Sequence, residues 1–502
     1  MTVSHLVPTR FGTRFPSWRS IAAFFALAVA GGVGETPDLQ AQQWRSRVST
    51  RVLYVEGRTL SRDSVLAAEV GDTPATCATG ADYCFFYRSG AVQKTYPAVL
   101  DVDLSVFGFD VEGLRAYVST RFRTDIGGDK FWPRVDDHFD LLAGYLELKR
   151  DWWRVRAGRD YQVSGLGFYG YDGGSAVFQY RPWRVSFEAY GGWGLARGVP
   201  EPISGEAFAS LGAFQPPKRD LLFGFRGSAR PTVNSSLEAI YQREIPTDRS
   251  GISSERLGFE ATYNPTRALS LAGHADVDLA LGEWGKAGLT VGYWVHRMVY
   301  VEGGFLRYRP VFSLQTIWLA FSPVSYSGWS LRVALQPRSD LSFKLWSERR
   351  QYENTGAEVP FFEATDRDWR VGGTAAWRPN AWGKNWEIDA GYWLNWGFGS
   401  ALNSGDLRVG LRPNERLSLG LRFSAFQQLE EFRISEGRVW GLGGDVRWWT
   451  RAGTVWLSLD RYGHDRRTSG DLTDDPTQPD WTQWRAAFGF SYYLGSEPGR
   501  TP

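Results

Sequence analysis

The sequence predicts an all-β protein: a transmembrane antiparallel β-barrel of about 22 strands, with 20 to 24 as the range. Three observations predict it. Two-faced strands recur along nearly the whole chain. No run of 18 apolar residues occurs beyond the amino-terminal segment, so helices cannot supply the spans. The chain is 43% hydrophobic and carries 24 Trp and 57 Gly among 502 residues, yet its mean hydropathy is −0.33. That combination fits faces that are separately apolar and polar.

The amino terminus is set apart from the fold. Arg10, Arg14 and Arg19 precede the apolar run Ile21 to Val33. A positive region followed by a short apolar core is the pattern of a secretion signal. Residues 1–41 are read as that signal, with cleavage after Ala41; cleavage after Ala30 and a short membrane anchor are the alternatives. Residues 42–502 are then the barrel. Cys77 and Cys84, the only cysteines, fall in the exported part and close together, which points to a local disulfide. Residues 57–96, which contain them, read as a long loop. Residues 495–502 read as a short tail.

Strand after strand then shows period-2 alternation, which places successive side chains on opposite faces. Val48, Val52 and Tyr54 alternate with Arg47, Ser49 and Arg51. Leu100, Val102 and Leu104 alternate with Asp101 and Asp103, and Leu114, Ala116 and Val118 with Arg115, Tyr117 and Ser119. The clearest hairpin is 405–426: Leu407, Val409 and Leu411 oppose Arg408 and Arg412, then Leu417, Leu419, Leu421 and Phe423 oppose Arg416 and Arg422, with Pro413 and Asn414 at the turn.

Short proline turns at 182, 231, 265, 337, 379 and 413 contrast with long polar stretches at 193–220, 351–366 and 463–480. Short turns at one end and long loops at the other is the layout of an outer-membrane barrel. Counting strands inward from either terminus disagrees by one between 286 and 336. The surplus strand is assigned to Ser313–Trp329.

A charged face is costly against lipid, so it must line an aqueous lumen. Arg115, Arg121, Arg123, Arg154, Arg156, Arg408, Arg412, Arg416 and Arg422 are the expected lumen arginines. They form either an anion-attracting track, since guanidinium groups fork onto carboxylate or phosphate, or a wall neutralised by Asp101, Asp103, Glu147 and Glu188.

The basic residues are almost all Arg, yet net charge is +2, so no overall field favours nucleic acid. No Ser/His/acid spacing, phosphate loop or haem-attachment motif occurs. The reading is therefore a non-enzyme, with no cofactor and no metal.

The stretch Arg156 to Gly173, RAGRDYQVSGLGFYGYDG, resembles a pattern of bacterial outer-membrane porins, in particular the alginate-export-like group. There a strand ending in R-x-G-R is followed, after a loop, by Asp-Gly opening the next strand. Arg156, Gly158, Arg159, Asp172 and Gly173 hold those places. Asp160 departs from the pattern, where Gln is commoner. The resemblance implies passive passage of small hydrophilic solutes, anionic or neutral, across the outer membrane of a Gram-negative-type envelope. A fainter resemblance, at Tyr308 to Tyr326, is to barrels that sheath multihaem cytochromes in electron conduits; it implies a cytochrome partner. A closed surface barrel acting through its loops is the third reading.

Overall fold

The computed structural model describes residues 43–70, 82–126, 139–195, 219–247, 250–309, 325–353, 367–381, 384–397, 400–428, 436–467 and 481–495. The strands are β1 (Gln43–Leu66), β2 (Tyr83–Thr95), β3 (Pro97–Phe107), β4 (Leu114–Asp125), β5 (Phe139–Lys149), β6 (Trp153–Ser164), β7 (Gly167–Tyr180) and β8 (Val185–Gly194). Next come β9 (Leu221–Ala229), β10 (Ser235–Ile245), β11 (Ser254–Tyr263), β12 (Leu269–Asp278), β13 (Glu283–His296), β14 (Val299–Tyr308), β15 (Tyr326–Arg338) and β16 (Leu341–Tyr352). The last are β17 (Arg367–Trp377), β18 (Asn380–Ala381), β19 (Lys384–Gly397), β20 (Ser400–Asn414), β21 (Leu417–Gln428), β22 (Glu436–Trp449), β23 (Gly453–Arg467) and β24 (Trp481–Gly495). No described residue is in an α-helix.

Each strand pairs antiparallel with its neighbours, and β24 closes the ring on β1, from Arg45↔Gly495 to Val55↔Arg485. β2 and β3 act as one stave of the ring, interrupted at Tyr96, because both pair with β1. β18 is a two-residue bridge within the β17–β19 connection. The remainder is a closed barrel of 22 staves. An even number follows from both chain ends lying at the same rim.

That rim also carries connections of only two to six residues. The prolines at 182, 231, 265, 337, 379 and 413 all lie at or beside it, so the two strand counts reconcile. Between β13 and β15 the described residues hold only β14. Of the surplus strand expected at Ser313–Trp329, residues 313–324 lie outside the described residues, and Trp329 belongs to β15.

A second expectation is corrected. Residues 57–96 are not mainly a loop. β1 continues to Leu66 and pairs with β2 from Val55↔Thr95 to Leu66↔Tyr83, so the hairpin is longer than its alternation alone indicated. Cys84 is fully buried and disulfide-bonded, and Cys77 lies outside the described residues. With two cysteines in the chain, the denatured but unreduced protein is expected to take up no maleimide and the reduced protein two. One or more labels before reduction would exclude the bridge.

The wall inverts the usual soluble distribution. Leu345 is 61% exposed, and Phe187, Leu237, Leu289, Leu421 and Leu457 are likewise exposed on the outward face. Arg121, Glu147, Gln242, Arg256, Asp276 and Asp368 are buried on the inward one. Nearly every stave contributes to the apolar band, which far exceeds a few stray surface residues.

Candidate functional site

Among the described residues, one hairpin leaves the wall and narrows the lumen. The β5–β6 ladder runs from Lys149↔Arg154 to Gly144↔Arg159 and stops, although β5 reaches back to Phe139 and β6 on to Ser164. Gly158 sits at the departure with φ +131°, a conformation that an L side chain rarely adopts. A Cβ there would meet the Gly144 carbonyl oxygen at 2.2 Å. From there β6 and β7 stay paired with each other to Ser164↔Gly167, joined by Gly165 and Leu166.

The tip docks on the inner wall four strands further round. Leu166, Tyr169 and Tyr171 pack with Tyr190, Leu222 and Ile240 in the one buried apolar cluster among the described residues. Arg256 of β11 is the clamp. Its Nη1 donates to the Leu166 carbonyl (2.8 Å) and the Tyr169 hydroxyl (3.1 Å), and its Nη2 donates to Asp276 Oδ2 (2.5 Å). Arg256 and Asp276 are both buried. The Asp276 carboxylate is engaged at both oxygens, since its Oδ1 accepts from the Lys286 backbone N–H, whereas Arg256 Nε has no hydrogen-bond partner among the described residues. Tyr190 Oη donates to Gln242 Oε1 at 2.9 Å beneath the aromatic rings. The other face of the hairpin, with Tyr161 stacked on Phe168 at 5.2 Å, is turned away from this contact, and Tyr161 is exposed.

The porin-like motif residues gather at the departure point. Arg159 and Asp172 form a two-pronged pair, Nε to Oδ1 at 2.6 Å and Nη2 to Oδ2 at 2.9 Å. Arg159 Nη1 also donates to the Leu141 carbonyl of β5 at 2.9 Å, so Arg159 bridges all three strands where the ladder ends. Arg219 adds a second cation to Asp172 at 2.5 Å. Gly158 and Gly173 are direct cross-strand partners, and a Cβ on Gly173 would meet the Gly191 carbonyl oxygen at 2.0 Å. Two details differ from expectation. Arg156 to Arg159 lie within β6 rather than ending it, and Asp172-Gly173 lie within β7 rather than opening it. The turn between them has two residues, so no loop intervenes.

The expected lumen arginines divide. Arg121 pairs with Asp101 at 2.6 Å, Arg123 with Asp140, and Arg156 with Glu147 (2.7 Å) and Asp160 (3.1 Å). Arg422 pairs with Asp460 at 2.9 Å. Arg115 donates to Ser105 Oγ at 2.8 Å. Arg154 leaves its Nε without a hydrogen-bond partner among the described residues. Arg408 and Arg412 are exposed on the inward face of β20, with Arg412 over the Trp449 ring at 5.5 Å. Arg416 is a correction: it lies in the β20–β21 turn at the short-turn rim, not on the lumen wall.

The wall is therefore mostly neutralised, but not evenly. Around the docked tip, Glu188, Glu238, Glu260 and Asp276 face inward and meet Arg226 (2.7 Å to Glu238) and Arg256. Between the tip and β12 lies a recess of about 260 Å³ lined by Gly165, Glu260, His274, Asp276 and Lys286. Half the ring away, Arg47, Arg51, Arg408, Arg412, Arg447 and Arg485 are exposed to the lumen. Several rest on aromatic rings, as Arg485 does on Tyr462 at 5.0 Å. Among the described residues no cluster of His, Cys, Asp and Glu could hold a metal.

No family model matches the chain, and no curated protein does. Solved structures similar to it include the siderophore receptor PirA of Pseudomonas aeruginosa, with 12% identity over 89% of this chain and 80% of that one, TM-score 0.48. A BenF-like porin of Pseudomonas fluorescens matches over 90% of this chain and 98% of that one, with 11% identity and a TM-score of 0.40. OccK2 (OpdF) of P. aeruginosa, solved with glucuronate, matches over 91% and 100%, with 10% identity and a TM-score of 0.40. The architecture stands on this chain's own strand pairing, which closes at β1 and β24.

The inward hairpin escaped sequence reading. Its signal was there in combination. At the rim that carries the longest connections β6 and β7 are joined by Gly165 and Leu166 alone, as short as the β19–β20 connection, and here the short turn lies inside a stretch with a glycine at 158, 165, 167, 170, 173 and 174.

Proposed function

We propose that the chain is a bacterial outer-membrane channel through which small hydrophilic solutes diffuse, anionic ones preferentially. The observation that carries this reading is the closed ring with an apolar outer band and a charged inner face, since only closure satisfies every backbone group of a sheet in hydrocarbon. Among the described residues, the docked β6–β7 hairpin is the element that reaches into the lumen and narrows it. The solvent-exposed arginines of β1 and β20–β24 border the side it leaves open, and cationic side chains at a constriction favour anions.

Planar-bilayer recording of the refolded protein tests this. Stable steps are expected, with a reversal potential in a salt gradient displaced toward the anion. Steps with cation preference would refute the anion preference, and a folded barrel without conductance would refute the channel. The hairpin and its aromatic cluster occupy part of the lumen, which argues against the cytochrome-sheath reading. The resemblance to alginate-export-like porins rests on five residues, and these serve the hairpin's departure from the wall, so it adds nothing about the solute.

A further inference from the structure

We infer that two arginines on the outer surface of the barrel are sites for the phosphate groups of anionic lipid. The inference rests on the reading that the barrel spans a membrane. On β16, Trp346, Glu348 and Arg350 share the face of buried Asp368, Arg350's cross-strand partner, and so face inward, and Leu345 is exposed outward. Arg349 shares the outward parity of Leu345. Its cross-strand partners are Trp329 on β15 and Trp369 on β17. Its guanidinium lies over the Trp369 ring at 5.3 Å. Phe305 and Trp396 extend the aromatic row on either side, packed on Trp329 at 4.8 Å and on Trp369 at 6.3 Å.

The arrangement recurs on β23. Leu457 and Leu459 are exposed outward, and Arg461 follows them on the same face. It lies between Trp440, at 5.5 Å, and Trp484, at 5.7 Å. Exposed Arg438 is two residues before Trp440 on the same face of β22.

Both arginines are exposed, and neither has an acidic partner among the described residues. Arg349 lies three residues from the end of β16 at the long-loop rim; Arg461 lies six from the end of β23, and its ring partners Trp440 and Trp484 lie four and three residues from the ends of β22 and β24 at that rim. Charge on the lipid-facing side is unfavourable in the hydrocarbon and tolerable near the interface, and Trp is the residue that marks that interface. An aromatic face on the guanidinium restrains its plane while leaving N–H edges outward, and those edges match phosphate in two-pronged fashion. The outward face thus offers two caged cations at headgroup depth. The complementary occupant is a phosphorylated lipid of the leaflet at that rim rather than a solute in the pore.

The test compares wild type with the Arg349→Gln/Arg461→Gln double variant. Each is reconstituted in phosphatidylcholine nanodiscs containing a minor fraction of bis-phosphorylated lipid A, then extracted and weighed by native mass spectrometry. Wild type is expected to retain lipid A. The double variant is expected to retain it less, by about fivefold per arginine, since an Arg near a membrane surface is worth about 1 kcal/mol toward anionic lipid. Retained phosphatidylcholine is expected to be equal in both. An Arg349→Lys/Arg461→Lys variant keeps the charge and loses the fork, and is expected to fall between.

Equal retention of lipid A by wild type and the Gln variant would overturn the inference. So would displacement of lipid A by millimolar inorganic phosphate, which would mark a site for free phosphate. A heat-shifted band on gels and wild-type conductance show that the variants are folded. A wild type that does not insert into bilayers would instead overturn the membrane reading on which the proposal rests.

Discussion

Replacing Arg256 by Ala is expected to raise the single-channel conductance and make it noisy, because the β6–β7 tip loses its clamp. Arg256 spans the Leu166 carbonyl, the Tyr169 hydroxyl and the Asp276 carboxylate, and it is 7% exposed. Removing one member of such a buried pair leaves the other uncompensated and costs about 3–5 kcal/mol. The wall does not depend on that side chain, since the β10–β11 and β11–β12 ladders run through the backbone. The loss therefore falls on docking of the tip against Tyr190, Leu222 and Ile240. Recordings of the variant in a planar bilayer are expected to show larger mean current with frequent transitions between levels. An unchanged, quiet step would mean that the hairpin does not limit the pore. Asp276→Asn is the companion variant. It keeps an acceptor for Arg256 Nη2, so it is expected to loosen the tip less.

Gly158→Val is expected to abolish the folded barrel or to leave a hairpin that stays up in the wall. Position 158 has φ +131°, which a β-branched residue reaches only with strain of about 1–3 kcal/mol. Its Cβ would also stand 2.2 Å from the Gly144 carbonyl oxygen, a backbone atom fixed by the last β5–β6 pair. No rotamer relieves a clash at Cβ. Gly303→Ala on β14 is the control, because a Cβ there meets nothing within 4 Å. Refolding yield, read from the heat-modifiable band, should fall steeply for Gly158→Val and stay at the wild-type level for Gly303→Ala. Equal yields, with equal conductance, would show that the bend at 158 is dispensable.

The barrel was legible in the sequence for a local reason. Alternation such as Leu407, Val409 and Leu411 against Arg408 and Arg412 is a property of consecutive residues, and the pleat turns it directly into two faces. Chain polarity followed the same way, because proline can be read in a turn without knowing what the turn packs against. The strand tally was ambiguous near 313–329, where Ile317 to Phe321 is a continuous apolar run with no alternation to show whether it forms a strand. In the ring β14 pairs directly with β15, so the count of staves is set by pairing between described strands rather than by that stretch.

The lumen arginines show the limit of parity. Parity placed Arg121, Arg123, Arg156 and Arg422 on the inner face. Whether each is an open cation or half of an ion pair depended on strand register, which set Asp101 against Arg121 and Asp140 near Arg123.

The sequence by itself determined the class of the protein and which side chains of a strand share a face, because these are written in neighbouring residues. The tertiary structure alone decided where β6 leaves the wall and what receives it. Leu166 and Arg256 are 90 positions apart, and no periodicity in one segment reports on a contact with the other. The same holds for the Trp cages around Arg349 and Arg461. Their partners lie on neighbouring strands and become neighbours only when register is fixed by closure of the ring.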